Sequence, residues 1–537
     1  MPCIQPRIQL RNTLLIGLIG LLAFSTGAFA AAPTPRRTTL PTLSSNAREL
    51  FADSIRTAEA SFDPTVHLLR KPRDPHGNAV GTYMVRESSW FALGLLLRDA
   101  PGDRARAAVI LDTVLAQQYT DPTQKWFGSF KRSPEEPSPT PTNQTHYEAY
   151  DPNWRHFIGT TFEMILIEFP DRIPAPLTAR LYQAIDNAIA GEANEHRLTP
   201  AYSNIALMYG ALWDFAANHN HDVAQRTQSA QWNESVYALF KAHNTFNEYN
   251  SPTYYGVDLY GLALLRDYAS TSRLQSLAAE MESALWSDIA DFYSPNLRNI
   301  SGPYDRSYGM DMQSYVTVTG VWIRTLLPAP QAPLPLTLDL QTQHLGDLWF
   351  ASQFVVLGTR IPPAALDKLK HPAAPHLVRR TIDAKRTATA WIGSNIIFGG
   401  ESNPVPDTSG ATNQTSQFHP ATLQWKTPNG PIGWVRLLHI PPIDASADPQ
   451  GLTIRTTRPE LEFLLHLPGL DPAAAQTQLT QTHWTLPGLD LTATTDATTF
   501  QVKPTGPPEE HNFTLTYTNV TQLRLAVQPA SGAPTIP

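Results

Sequence analysis

A motif that opens helices recurs along this chain and constrains its fold more than any other feature. The run from Glu248 to Arg266 shows it best. Ser251 followed by Pro252 reads as an N-cap with proline at the first helical position, where a missing N–H costs nothing. Tyr254 and Tyr255 follow, then apolar residues at helical spacing: Val257, Leu259, Leu262, Leu264 and Leu265. Asp151-Pro152-Asn153-Trp154-Arg155-His156 and Thr199-Pro200-Ala201-Tyr202-Ser203-Asn204 repeat the pattern. Aligned on cap and proline, Trp154, Tyr202 and Tyr254 coincide. Arg155 then matches Ser203 and Tyr255, and His156 matches Asn204 and Gly256. Glu87 to Trp90 and Asp305 to Tyr308 are copies without the proline. A period of roughly fifty residues is that of stacked helix pairs.

Helical periodicity predicts about ten helices between Asn46 and Leu327, joined alternately by short and long connections. Antiparallel pairs with long loops before the inner helices imply an incomplete α/α toroid over residues 45–327. Pro328 to Pro335 is a stiff linker. Beyond it, over 336–537, alternating runs such as Leu452 to Leu465 and Phe513 to Val527 predict an antiparallel β-sandwich. Pro428-Asn429-Gly430 reads as a hairpin turn, and a short helix is expected near Pro362 to Leu369. The expected fold class is therefore multidomain α and β, toroid first and sandwich second.

Residues 1–30 read as a secretory signal, with Arg7 and Arg11 before the apolar run Leu14 to Phe24 and small residues at Ala28-Phe29-Ala30. Residues 31–44 then form a linker. No later segment offers an uninterrupted apolar span, so the expectation is a secreted or periplasmic protein with no membrane contact after signal cleavage. The single cysteine, Cys3, lies in that signal, which leaves the mature chain no disulfide, thiol nucleophile or cysteine metal site. A net charge of −7 without a Lys/Arg cluster argues against nucleic acid and against an anionic membrane surface.

A toroid exposes the first turns of its inner helices on one face, so the recurring positions should converge on one cleft. His156, Asn204, Tyr254 and Tyr255 are then catalytic candidates; Trp154, Arg155, Tyr202, Glu248, Arg306 and Tyr308 are substrate-binding candidates. Tyrosine, histidine, amide and arginine together suit removal of a proton beside a carboxylate. The growing enolate-like charge needs donors, and a base and an acid must move the proton. Each residue also has a structural reading: the tyrosines as packing groups, His156 as a core histidine, Arg155 as a partner of Asp151 or Glu148. Trp90, Trp126 and Trp154 suit either sugar stacking or the core. The carboxylates Glu87, Glu148, Asp151, Glu248, Asp305 and Asp311 support a rival chemistry, glycoside hydrolysis by a carboxylate pair. The sequence contains no nucleotide loop, GxSxG elbow or HExxH. His419, His439, His466 and His483 lack metal-ligand spacing. No metal and no cofactor are expected.

A signal peptide, a toroid with inner-helix Asn204 and Tyr255, and a C-terminal β-sandwich together resemble the polysaccharide lyases of the heparinase II/III, alginate lyase and chondroitin AC lyase type. That resemblance implies that an asparagine, often with a nearby histidine, neutralises a uronate while a later tyrosine acts as acid or base. Asn204 and Tyr255 match in order. Ile205 follows Asn204 where a histidine would be expected, so His156 would serve from the preceding repeat. The function implied is an exported enzyme that cleaves an acidic, uronate-containing polysaccharide by β-elimination. A glycoside hydrolase and a non-catalytic carbohydrate-binding protein are the alternatives.

Overall fold

The structure, a computed structural model, describes residues 35–36, 38–72, 81–404 and 415–528. The expected signal at 1–30 lies outside the described residues. Helices α1 (Ser45–Ser61), α2 (Val85–Arg98), α3 (Asp103–Leu115), α4 (Trp154–Glu168), α5 (Ala175–Glu195), α6 (Ser203–His219), α7 (Val223–His243), α8 (Tyr254–Tyr268), α9 (Ser272–Phe292) and α10 (Val318–Leu326) build the first half. α2 pairs with α3, α4 with α5, α6 with α7 and α8 with α9. The inner members α2, α4, α6, α8 and α10 are successive neighbours, and α1 joins α10 back to α2. This is the expected α/α toroid.

Sequence chemistry explains the two layers. Every residue of α4 from Trp154 to Glu168 is buried, as a helix enclosed on all sides requires. The outer helix α5 buries only a stripe, Leu177, Leu181, Ala184, Ile185, Ala188 and Ile189. The proline motif works as a turn before α4, α6 and α8. Ser251 Oγ accepts the Tyr254 amide at 3.0 Å, and the Ser251 carbonyl accepts that of Tyr255 at 3.1 Å. The cap is therefore present, although regular helix begins only at Tyr254.

The helical part does not stop at the proline-rich segment. A 3₁₀ turn, Leu345–Phe350, leads into α11 (Ala351–Leu357), which is followed by α12 (Pro363–Lys370); the first strand of the large sheet begins at His376. The boundary expected at 336 therefore falls some way too early. α11 enters the ring and touches α1, α2, α8 and α10. Phe350 stacks on Trp90 at 4.2 Å and Phe354 on Trp322 at 4.1 Å. Burying each ring contributes roughly 1.5–3 kcal/mol. The run Leu348-Trp349-Phe350 carries no period that distinguishes a short helix from a strand, which is why its assignment fails from sequence alone.

From His376 onward the chain forms one 13-stranded sheet, antiparallel throughout, curled over a second core. Burial alternates along strands such as Ile443–Asp448, the mark of a sheet with one face inward. Gly430, at φ +102°, turns the predicted hairpin between Ala421–Lys426 and Ile432–Leu437. The sheet packs on the toroid through Ala388, Ala390, Ile392, Ile397 and Ile432, which share the helical core. Ion pairs Asp305–Arg386 (3.1 Å) and Asp288–Arg380 (2.7 Å) cross the same seam.

Candidate active site

Helix geometry decides which repeat position faces the ring's mouth. Successive residues on an α-helix point about 100° apart, so the long side chains of neighbouring motif residues, such as Tyr254 and Tyr255, diverge. The first position, Tyr202 and Tyr254, looks into the cleft. The second turns outward in Arg155 and Tyr255, while Ser203 stays at the cleft cluster. Arg155 is 0 % exposed; it donates to Glu195 at 2.5 Å and to the carbonyls of Phe127 and Lys125, both at 2.9 Å. It braces a loop and meets no cleft. Tyr255, 1 % exposed, donates to Asp288 on α9 at 2.9 Å and lies 3.2 Å from Thr245 Oγ1. His156 is buried against Glu192 of α5 at 3.0 Å. The expected convergence of His156, Asn204 and Tyr255 is therefore absent: each meets a different carboxylate, Glu192, Glu248 and Asp288.

Trp90, Trp126 and Trp154 are also core residues. Trp90 and Trp154 pack against the Arg86 guanidinium at 4.8 and 5.2 Å. Of the rival carboxylates, Asp305 is taken by Arg386 and Asp311 by Asn299 at 3.0 Å. Glu87 holds Arg86, and Glu148 is exposed.

What the fold does assemble is a polar cluster at the start of α6 and α8. Asn204 is fully buried and gives its amide nitrogen to Glu248. Glu248 also accepts from Ser203 Oγ at 3.2 Å, from the Asn204 main chain at 3.3 Å and from Arg306 Nη1 at 3.2 Å. Arg306 is fixed at its other end by Gln417 of the sheet domain, 2.7 Å from Nε. Its guanidinium lies 3.9 Å from the centre of the Tyr254 ring. The Tyr254 hydroxyl is 2.5 Å from that of Tyr308, a residue 39 % exposed at the mouth. Tyr308 stacks on His344 at 5.0 Å. Beside them a cavity of about 150 Å³ runs to Arg86, Asp347 and Phe350. Along the other arm of the cleft, Tyr202 accepts from Asn153 at 3.1 Å, and Arg197 joins Asn153 (2.8 Å) to Glu192 (3.1 Å).

Burial pushes the Tyr254 phenol well above its ordinary range and Tyr308 adds to this, while Arg306 opposes it. Tyr202 is raised by burial as well. Burial also raises the Asp347 carboxyl, against the pull of His344 and Arg86. Glu192 would rise on burial, but His156, Arg197 and Arg155 hold it down to about 2. Burial lowers His156, so it rests as the neutral imidazole, with its Nδ1 unpartnered. The cleft thus carries three arginines, each set against a glutamate: Arg86–Glu87, Arg197–Glu192 and Arg306–Glu248. Among the described residues no group of three or more His, Cys, Asp or Glu is placed to hold a metal ion.

Sequence reasoning missed Arg86, Arg197, His344 and Asp347. Arg86 adjoins the weak repeat copy at Glu87, a detectable signal. His344 and Asp347 lay in a stretch assigned to the sandwich domain and carried none.

A two-domain chain with an α/α toroid, a curled antiparallel sheet and this cleft defines the class. The chain belongs to the family described as a domain of unknown function (DUF8769), matched over residues 48–359, and a second domain of unknown function (DUF8770) matches residues 371–519. Comparison with curated proteins gives no match. Among solved structures the chain is similar to heparinase III, at 9% identity and TM-score 0.43, covering 95% of this chain and 88% of that one. It is similar to a Streptomyces coelicolor A3 chondroitin AC lyase in complex with chondroitin sulphate, at 11% identity and TM-score 0.47, covering 92% and 80%. A Paenibacillus xanthan lyase matches at 12% identity and TM-score 0.43, covering 92% of this chain and 57% of that one. At these values the likeness concerns the course of the chain and assigns no role to any residue.

Proposed function

We propose that this protein is an exported carbohydrate-active enzyme, a polysaccharide lyase that cleaves an acidic, uronate-containing glycan by β-elimination. The observation that carries the reading is the Tyr254–Tyr308 hydroxyl pair at 2.5 Å with Arg306 stacked on Tyr254, at the mouth of the cavity. In a β-elimination a proton leaves the carbon beside the carboxylate, and its electron pair forms a carbon–carbon double bond. The bond to the glycosidic oxygen breaks, and that oxygen takes a proton. A tyrosine pair beside a guanidinium suits both transfers. Once one hydroxyl has given its proton to solvent, the tyrosinate can take the carbon-bound proton as the base and pass it to the leaving oxygen, which ends as the new hydroxyl while the tyrosinate is restored. Arg306 Nη2 has no hydrogen-bond partner among the described residues, so it is available to the substrate carboxylate. Asn204 acts through Glu248, whose anion it helps to fix. Tyr202, Arg197 and Asn153 would line the next sugar. The expected leader at residues 1–30 supports export.

The cleft's paired arginines leave little net positive charge, and Asp347, raised by burial at the cavity wall, suits a general acid. These features support the second reading, a glycoside hydrolase. Incubation with uronate polysaccharides separates the two. A lyase makes an unsaturated, ultraviolet-absorbing chain end. Reducing ends without that absorbance would overturn the lyase reading in favour of hydrolysis.

A further inference from the structure

Asp258 lies one turn into α8, behind Tyr254, and is 0 % exposed. Among the described residues no group donates a hydrogen bond to either of its carboxyl oxygens. Among the described residues no arginine, lysine or histidine pairs with it; its polar neighbours are the Ser203 hydroxyl and the Glu248 carboxylate. A buried carboxylate anion without a donor, beside a second anion, is costly in either respect. Glu248 differs from it throughout. It faces four donors, from Ser203, the Asn204 main chain, the Asn204 amide and Arg306, so it is the member of the pair that keeps the negative charge.

The single proton of a serine hydroxyl decides how the three groups connect. Ser203 Oγ spends its proton on Glu248 at 3.2 Å, so toward Asp258 it can only accept. We propose that Asp258 is held as the neutral acid and donates to Ser203 Oγ, making it a positioning residue that aims the Ser203 proton at Glu248 and so fixes the Glu248–Asn204 pair. The order of donation runs from Asp258 to Ser203 to Glu248, and Arg306 closes it from the cleft side. The direction cannot be reversed while Glu248 stays ionised. Burial, which raises the Asp258 carboxyl well above its ordinary value, works in the same sense. The inference rests on the proposed role of Glu248 and Asn204 in the cleft, but its main readout does not.

Infrared difference spectra of the full chain at neutral pH test it. Wild type minus D258N should contain the carbonyl stretch of a protonated carboxyl. In S203A, which keeps Asp258, that band should move to higher frequency because the acid has lost its acceptor. No protonated-carboxyl band, or a band unmoved in S203A, overturns the proposal. A second measurement follows binding of an acidic oligosaccharide by calorimetry. D258N, whose amide still donates to Ser203, should bind within about twofold of wild type, whereas D258A and S203A should bind roughly 3- to 10-fold more weakly. Equal losses in D258N and D258A would mean that donation to Ser203 is not what Asp258 supplies. If wild type binds no acidic oligosaccharide, the functional reading fails, and the infrared bands still decide the state of Asp258.

Discussion

Replacing Tyr254 and Tyr255 by phenylalanine, one at a time, separates a cleft hydroxyl from a structural one in adjacent residues. Tyr255→Phe removes a buried bond to Asp288, 2.9 Å long, from a carboxylate whose other partner is Arg380 of the sheet domain at 2.7 Å. A hydrogen bond to a charged group contributes roughly 1.5–3 kcal/mol, and here the loss falls on the seam between the domains. A 1 kcal/mol loss lowers the melting temperature of a domain this large by roughly 2–4 °C, so Tyr255→Phe should melt several degrees early. Its turnover should stay near wild type, because no part of the side chain reaches the cleft. Tyr254→Phe should behave in the opposite way. Its hydroxyl meets only that of the exposed Tyr308, so stability should change by less than about 1 kcal/mol, while turnover should fall by roughly 10²–10⁴-fold. Thermal melts and the ultraviolet assay on both variants measure the two quantities. Near-normal activity in Tyr254→Phe, or lost activity with an unchanged melt in Tyr255→Phe, would refute the assignment.

Arg306→Lys keeps a charge but cannot stack and bond Glu248 and Gln417 together, so KM for an acidic substrate should rise more than kcat falls; steady-state kinetics check this. Glu401 is raised by burial to about 8 from 4.5, with Arg386 opposing and Asp305 adding. The folded state then holds a proton that the unfolded chain releases, so stability should fall as pH rises from about 4.5 to about 8 and level off above. Glu401→Gln should lessen that slope in denaturant titrations at several pH values. A Cβ at Gly256 would sit 2.4 Å from the Thr319 amide nitrogen on α10, so Gly256→Ala should destabilise by roughly 1–3 kcal/mol, measurable by thermal melting.

The toroid was legible because capped inner helices leave a repeated local signature, and local signatures survive in sequence. The sheet was legible from alternation at positions such as Ile443, Ala445 and Ala447. Of the candidate site, the sequence pointed to the helix turns that meet at the cleft but not to which residue of each turn faces it. Aligning Trp154, Tyr202 and Tyr254 found the right turn of each helix, but the phase of that turn is set by the outer helices, whose Glu192, Glu195 and Asp288 claim the neighbouring side chains. Those carboxylates lie 33 to 40 residues downstream, where no local pattern marks them. Glu248, Arg306 and Tyr308, singled out from the sequence, do come together beside Tyr254 at the cleft, because they stand on the loops before inner helices. His344 and Asp347 reach it only because their segment leads into the ring.

That entry has a consequence for how the chain is made. Until residues 345–357 are synthesised, Trp90, Phe157, Tyr260 and Trp322 surround a centre with nothing in it, since Phe350 and Phe354 are their partners. A chain ending at the proline-rich segment would present that greasy lining to water or to a second chain. Any piece that is to close this interior must therefore run at least to Leu357, close to residue 359, where the first family match also ends. The same stretch completes the interior of one domain and hands the chain on to the next.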